Sequence, residues 1–246
     1  MRKIKCTISY DGTNFFGSQI QPNKRTVQQE IEKVLTRMHK GTEKKIVLSG
    51  RTDAGVHAQG QVFHVETDLK IPEENWKKAL NAQLPDDIYV HEVEYVNTFF
   101  HARFDAKEKE YRYFVLNSRE PNIFQRNYSY FEPSPLDIEA IRIACKIFEG
   151  TQDFTSFSSA RATVKGSKVR TLFEVSCHEH NEMIVFILRG NGFLYNMVRI
   201  IVGALIDVGK GKLTPNDIAE IMQKKDRSCA GKTMPPQGLF LWKVRY

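Results

Sequence analysis

Apolar and polar residues alternate at the start of the chain, with Ile4, Cys6, Ile8 and Tyr10 on one side of the pattern. This predicts a half-buried strand, closed by the turn signal Asp11-Gly12. A loop rich in amides and aromatics follows, from Asn14 to Pro22. Thr26, with Gln29 three residues later, matches a capping box, and Val27, Ile31, Val34, Leu35 and Met38 then recur on one helical face. Short apolar runs at Ile46 to Leu48 and Gln61 to Val65 read as strands on either side of a glycine-bracketed loop. Pro72 opens a second helix with Trp76, Ala79, Leu80 and Leu84 on its apolar face, and Pro85-Asp86-Asp87 stops it before a strand from Ile88 to Val96.

The order strand, helix, strand, strand, helix, strand is the split β-α-β arrangement, an antiparallel sheet with both helices on one face. The second half repeats that order without residue-level similarity. Glu110 to Leu116 reads as a strand, Leu136 to Phe148 as a helix, and Val169 to His178 with Met183 to Leu188 as a strand pair. A helix from Phe193 to Val208, a short one from Pro215 and a closing strand from Leu239 to Val244 complete it. The fold class expected is therefore α+β: two ferredoxin-like or RRM-like βαββαβ halves whose largely antiparallel sheets join into one pseudo-symmetric sheet. The halves divide as 1–105 and 106–246, with Asn97 to Lys109 as the crossover.

At 246 residues the chain is long enough to bury a substantial core. A formal net charge of +7 and a pI near 9.1 favour polyanionic partners. Basic residues recur in loops: Lys24 and Arg25, Arg51, and Arg161, Lys165, Lys168 and Arg170 around a Ser/Ala/Gly-rich stretch. Together they could neutralise phosphates. Cys6, Cys145, Cys177 and Cys229 form no C-x-x-C pair, and His178 with His180 lacks a third ligand, so neither a redox motif nor a metal site is read. No apolar stretch reads as a signal peptide or a membrane span, and a reduced cytoplasm suits the isolated thiols.

The chemistry concentrates in Leu48-Ser49-Gly50-Arg51-Thr52-Asp53-Ala54-Gly55-Val56-His57-Ala58. Two glycines bracket a carboxylate beside a guanidinium, at a crossover between strands, and glycine there lets a bulky ligand come close. Asp-Ala-Gly alone reads more readily as an Asx turn in which Asp53 bonds only its own backbone. The whole string, however, resembles the signature loop of the TruA family of tRNA pseudouridine synthases, matching G-R-T-D-A-G-V-H-A without a break from Gly50 to Ala58.

The resemblance extends over nearly the whole chain. It includes Tyr10-Asp11-Gly12-Thr13 through Gln19-Ile20-Gln21, then Phe100-His101-Ala102-Arg103-Phe104 followed by Lys109-Glu110-Tyr111-Arg112-Tyr113. Gly192 to Arg199 resembles the family's arginine-bearing helix, and Gly238-Leu239-Phe240-Leu241 its closing strand. It implies the pseudouridine synthase fold, with Asp53 as catalytic carboxylate, Tyr111 stacking on the target base and serving as a base, and Arg199 paired with Asp53. Arg51 would hold the place of an extruded nucleotide, and Leu239 would wall the uracil. The implied substrate is uridine 38, 39 or 40 of the tRNA anticodon stem-loop, the implied assembly a homodimer, and no cofactor or metal is required. Ser18 stands where the family commonly has tryptophan, and Met234 where it usually has a small residue, both near parts that would shape the RNA pocket.

A non-catalytic RNA-binding protein with tandem RRM-like sheets has the same element order. Such a module reads bases with a K/R-G-F/Y-G/A-F-V-x-F/Y strand, and none is present. No phosphate-binding glycine loop of a nucleotide-binding enzyme occurs either.

Overall fold

A computed structural model describes residues 1–159 and 166–246; Arg161 and Lys165 of the basic inventory lie outside the described residues. In chain order the elements are β1 (Arg2–Tyr10), α1 (Val27–Met38), β2 (Val47–Leu48), β3 (His57–Thr67), α2 (Glu73–Asn81), β4 (Ile88–Val96), β5 (Glu108–Leu116), β6 (Tyr130–Phe131), α3 (Ile138–Ile147), β7 (Gly150–Asp153), β8 (Val169–His180), β9 (Met183–Gly190), α4 (Met197–Gly209), α5 (Pro215–Lys224) and β10 (Leu239–Arg245). The fold is α+β with mostly antiparallel pairing, as the alternation of periods predicts. The chain forms two compact units, Met1–Lys107 with Phe240–Tyr246, and Glu108–Leu239.

In the first unit β1 lies between β4 and β3, antiparallel to both. The two-residue β2 pairs with β3 at Val47 and Leu48, and β10 pairs with β3 in parallel through Phe240 and Leu241. The last strand therefore groups with the first unit, whereas the sequence assigns it to the second half. That pairing joins residues at opposite ends of the chain, and no local period encodes it.

Ile4, Cys6 and Ile8 of β1 are fully buried, as are Phe63 of β3, Ile31 and Leu35 of α1, and Trp76 and Leu80 of α2. Helix α1 begins where the cap predicts, with the Thr26 hydroxyl accepting the Gln29 amide hydrogen. At its other end buried His39 bridges the Leu35 carbonyl and the Thr67 hydroxyl at 2.7 and 2.8 Å.

β3 departs from the expected alternation because both of its faces are covered. The segment after β4 folds back onto it: the Ala102 amide donates to Nδ1 of His64 at 3.0 Å, and the Lys3 ammonium donates to the Phe100 carbonyl at 3.0 Å. The Tyr246 hydroxyl donates to the Ala102 carbonyl at 2.8 Å.

In the second unit the order is β5-β9-β8-β7, all antiparallel, with β6 beside β5 in parallel. Helix α3 starts at Asp137, whose carboxylate accepts the Ala140 amide hydrogen at 2.9 Å. Helix α4 is apolar nearly all round and correspondingly buried, from Ile200 to Ile206. It begins four residues later than the periodicity predicts, because Asn196 takes a left-handed conformation (φ 60°) and a turn closes ahead of the helix, where the Met197 amide donates to the Leu194 carbonyl at 3.1 Å. Arg199 therefore sits in the first helical turn.

Candidate active site

Asp53 lies in the turn between β2 and β3, half-buried, and the turn closes where its carbonyl accepts the Val56 amide hydrogen at 3.2 Å. Gly55 takes φ 76°, the freedom that the glycine bracket anticipates. Arg51, two residues earlier, is exposed.

The turn is held from below by buried polar side chains. Gln61 of β3 is fully buried; its Nε2 donates to the Gly50 carbonyl at 2.9 Å and its Oε1 accepts from the Ser49 hydroxyl at 2.7 Å. Tyr10, at the end of β1, shares a 2.7 Å hydrogen bond with the Thr52 hydroxyl. Burial pushes the Tyr10 phenol up to about 12, offset in part by its bonds to Thr52 and Gln61, so it remains protonated at neutral pH. A buried hydrogen bond of this kind contributes about 1 kcal/mol net, and leaving one partner unsatisfied costs about 1–3 kcal/mol.

From the side, the segment after β1 presses against the same turn. The Gly55 amide donates to the Phe15 carbonyl at 3.2 Å and the Gly12 amide to Nδ1 of His57 at 2.9 Å. His57 is buried and stacks on Phe240, their ring centroids 4.6 Å apart. A Cβ on Gly12 would lie 2.1 Å from the Val56 carbonyl oxygen. Ser18 is fully buried and bonds Thr52 twice, its amide donating to the Thr52 carbonyl at 3.1 Å and its hydroxyl accepting the Thr52 amide hydrogen at 2.9 Å.

In the second unit Tyr111 stands opposite Leu188 on β5, almost wholly buried, and meets the Phe193 ring edge-on at 4.9 Å. Arg199 donates from Nε to the Met234 carbonyl at 2.6 Å and from Nη1 to Oδ1 of Asn196 at 3.0 Å, while the Met234 amide returns a bond to the Arg199 carbonyl at 3.1 Å. The Tyr113 hydroxyl donates to the Pro235 carbonyl at 2.8 Å, and burial raises its pKa far above the usual phenol range. Leu239 is buried at the start of β10.

The two departures from the family pattern are thus both fully buried side chains. The sequence reading puts Ser18 and Met234 near parts that would shape the RNA pocket; Ser18 packs beneath the Asp53 turn through Thr52, and Met234 bonds the Arg199 backbone and side chain. That reading overlooks Tyr10 and Gln61 as supports of the Asp53 turn, although Tyr10 opens one of the quoted motifs. Gln61 left no signal, since a glutamine in a strand ordinarily reads as solvent-facing.

Of the basic loop residues, Arg25 is engaged internally. It forms two bonds to the Asp87 carboxylate, at 2.7 and 2.9 Å, and lies 4.2 Å over the Phe15 ring. Arg170 bonds the Ser167 and Val169 carbonyls. Exposed Lys24 lies 4.3 Å over the Phe16 ring, which is itself half-exposed.

Among the described residues no group of three or more His, Cys, Asp or Glu side chains is placed to hold a metal ion. No helix among them is long and apolar enough to cross a membrane.

A family model described as tRNA pseudouridine synthase matches residues 7–105 and 144–246. The chain is 59% identical over 246 residues to tRNA pseudouridine synthase A of Oceanobacillus iheyensis, covering all of this chain and 97% of that one. It is 56% identical over 245 residues to tRNA pseudouridine synthase A of a Geobacillus species, covering 98% of that chain. Identity to tRNA pseudouridine synthase A 1 of Bacillus cereus is 54% over 246 residues, 99% of its length.

Proposed function

The chain belongs to the tRNA pseudouridine synthase family, and from that membership we propose that it isomerises uridines 38, 39 and 40 in the anticodon stem-loop of tRNA, with Asp53 as the catalytic carboxylate. The observation that carries the assignment of Asp53 is its place in the unbroken Gly50 to Ala58 motif, on a turn fixed by Ser18, Tyr10, Gln61 and Gly12. Such anchoring supports a reacting group that must be held in register with its substrate.

The reaction breaks the N1 to C1′ bond of uridine, turns the uracil and rejoins it through C5, with no net redox change. Asp53 acts at the ribose, either attacking C1′ or removing the 2′ proton, and must be ionised to do so. Tyr111 stacks on the base and accepts the proton finally lost from C5. Arg199 serves as the cation that favours the charged form of Asp53. Leu239 provides an apolar wall for the uracil.

A uridine stacked in a stem must leave the stack before it can react, at a cost of a few kcal/mol. Arg51 takes the place it vacates, its guanidinium suited to stacking on bases and reaching phosphates. Its exposure supports that role. The excess positive charge of the chain supports binding to a polyanion. The enzyme acts in the cytoplasm as a homodimer whose subunits both contact the tRNA.

The test is to incubate an unmodified tRNA transcript carrying all three uridines with the protein, then map pseudouridine by carbodiimide adducts and primer extension. Stops at 38, 39 and 40 are expected, and stops confined to other positions overturn the site assignment. Sedimentation is expected to give a species of twice the 28.4 kDa chain mass; a 28.4 kDa species would exclude the homodimer.

A further inference from the structure

Ser18 holds two successive peptide units of the Asp53 turn. Its hydroxyl accepts the Thr52 amide hydrogen at 2.9 Å, which fixes the peptide between Arg51 and Thr52. Its own amide donates to the Thr52 carbonyl at 3.1 Å, which fixes the peptide between Thr52 and Asp53. Peptide units are planar and stiff, so fixing both leaves little freedom at Thr52 and sets where the Asp53 Cα lies. The Thr52 side chain is tied separately to Tyr10 at 2.7 Å.

Ser18 is itself anchored. Its carbonyl accepts the Gln28 amide hydrogen at 2.9 Å, and the Gly17 carbonyl accepts that of Val27 at 3.4 Å. These are amides of the first turn of α1, which have no partner within the helix. The path from helix to turn is therefore continuous: α1, Ser18, Thr52, Asp53. With Ser18 and Thr52 both buried, water does not compete for these bonds.

We propose that Ser18 is a positioning residue for the pseudouridylation reaction, its buried hydroxyl holding the Thr52 peptide so that Asp53 meets the ribose in register. This rests on the reading of Asp53 as the catalytic carboxylate. A displacement of about 1 Å at a reacting group can cost about a hundredfold in rate, whereas the surfaces that hold tRNA are untouched by loss of one buried oxygen. The role therefore appears in kcat and not in KM.

The test compares the unaltered protein with Ser18→Ala, Ser18→Thr and Ser18→Val, by tritium release from a tRNA transcript labelled at uridine C5, below the unfolding transition of each variant. Ser18→Ala is expected to lower kcat by about tenfold or more, with KM and tRNA affinity within about twofold and the circular dichroism spectrum unchanged. Thr and Val match in shape and differ in the hydroxyl, so Ser18→Thr is expected to recover turnover that Ser18→Val does not. Wild-type kcat in Ser18→Ala, or equal kcat in the Thr and Val variants, overturns the proposal. If Ser18→Thr does not fold, the Ala comparison decides alone. No release by the unaltered protein overturns the underlying reaction assignment, and this one with it.

Discussion

Nδ1 of His64 accepts the amide hydrogen of Ala102 at 3.0 Å, tying the segment after β4 to the middle of β3 across 38 residues of chain. An imidazole that accepts at Nδ1 must be neutral, with its one proton on Nε2, and protonation of Nδ1 would break the tie. Burial, and then the Lys3 ammonium and His101, lower the His64 pKa to about 4. The unfolded chain binds this proton below its ordinary value near 6.5, and the folded chain only below about 4. The stabilising contribution is therefore complete above pH 6.5 and lost as pH falls towards 4, at up to about 1.4 kcal/mol per pH unit. His64→Asn keeps an acceptor and removes the titration. Its unfolding free energy is expected to fall less steeply than the wild type's between pH 6.5 and 4.5; parallel slopes would contradict the assignment.

Gly17 and Gly41 have nearly the same backbone angle, φ +93° and +92°, in different surroundings. A Cβ on Gly17 would lie 2.8 Å from the Thr52 carbonyl oxygen, whereas one on Gly41 meets nothing within 4 Å. Alanine at either position carries the strain of a left-handed backbone, about 1–2 kcal/mol. Gly17→Ala is expected to lose more stability than Gly41→Ala in urea titration, and it alone is expected to slow turnover. Equal activity in the two variants would show that the contact between this segment and the Asp53 turn does not matter to the reaction.

Arg25 shows why a basic residue in a loop is not automatically a phosphate ligand. Its paired bonds to Asp87 and its place over Phe15 commit it to the first unit. Because the pair is partly open to water, Arg25→Ala should cost about 1 kcal/mol of stability. The salt dependence of tRNA affinity is expected to stay unchanged; a slope smaller by about one would place Arg25 on a phosphate.

Arg51, exposed beside Asp53, is expected to behave in the opposite way. Arg51→Ala should leave the melting temperature within about 2 °C, since exposed substitutions cost little, while weakening tRNA affinity and slowing modification together. Unchanged affinity and rate would reduce it to a surface charge.

The sequence made the first unit legible where period and punctuation agreed. Thr26 marked the start of α1, Pro72 that of α2, and the spacing of Val27, Ile31, Val34 and Leu35 marked the buried face. It failed where burial did not follow period. β3 is covered on both faces, so its sequence reads as a strand only from Gln61 to Val65 although the strand runs from His57 to Thr67. α4 starts late because Asn196 adopts a left-handed conformation that residue type alone did not announce. The motif around Asp53 was plain, but its supports were not. Ser18, Thr52 and Gln61 are polar residues that a surface would suit equally well, and only the folded chain shows that they are buried, with Ser18 bonded to the Thr52 backbone and Gln61 to Ser49 and the Gly50 carbonyl.

The most direct measurement is tritium release from an unmodified tRNA transcript labelled at uridine C5, comparing the unaltered protein with Asp53→Asn. The amide keeps the size of the side chain and removes its charge, so turnover should vanish while tRNA affinity stays nearly intact. Release by the unaltered protein and none by Asp53→Asn is the expected result. More than a few per cent of normal release by the variant would remove Asp53 from the catalytic role. Tight tRNA binding without release by the unaltered protein would instead favour a non-catalytic RNA-binding protein.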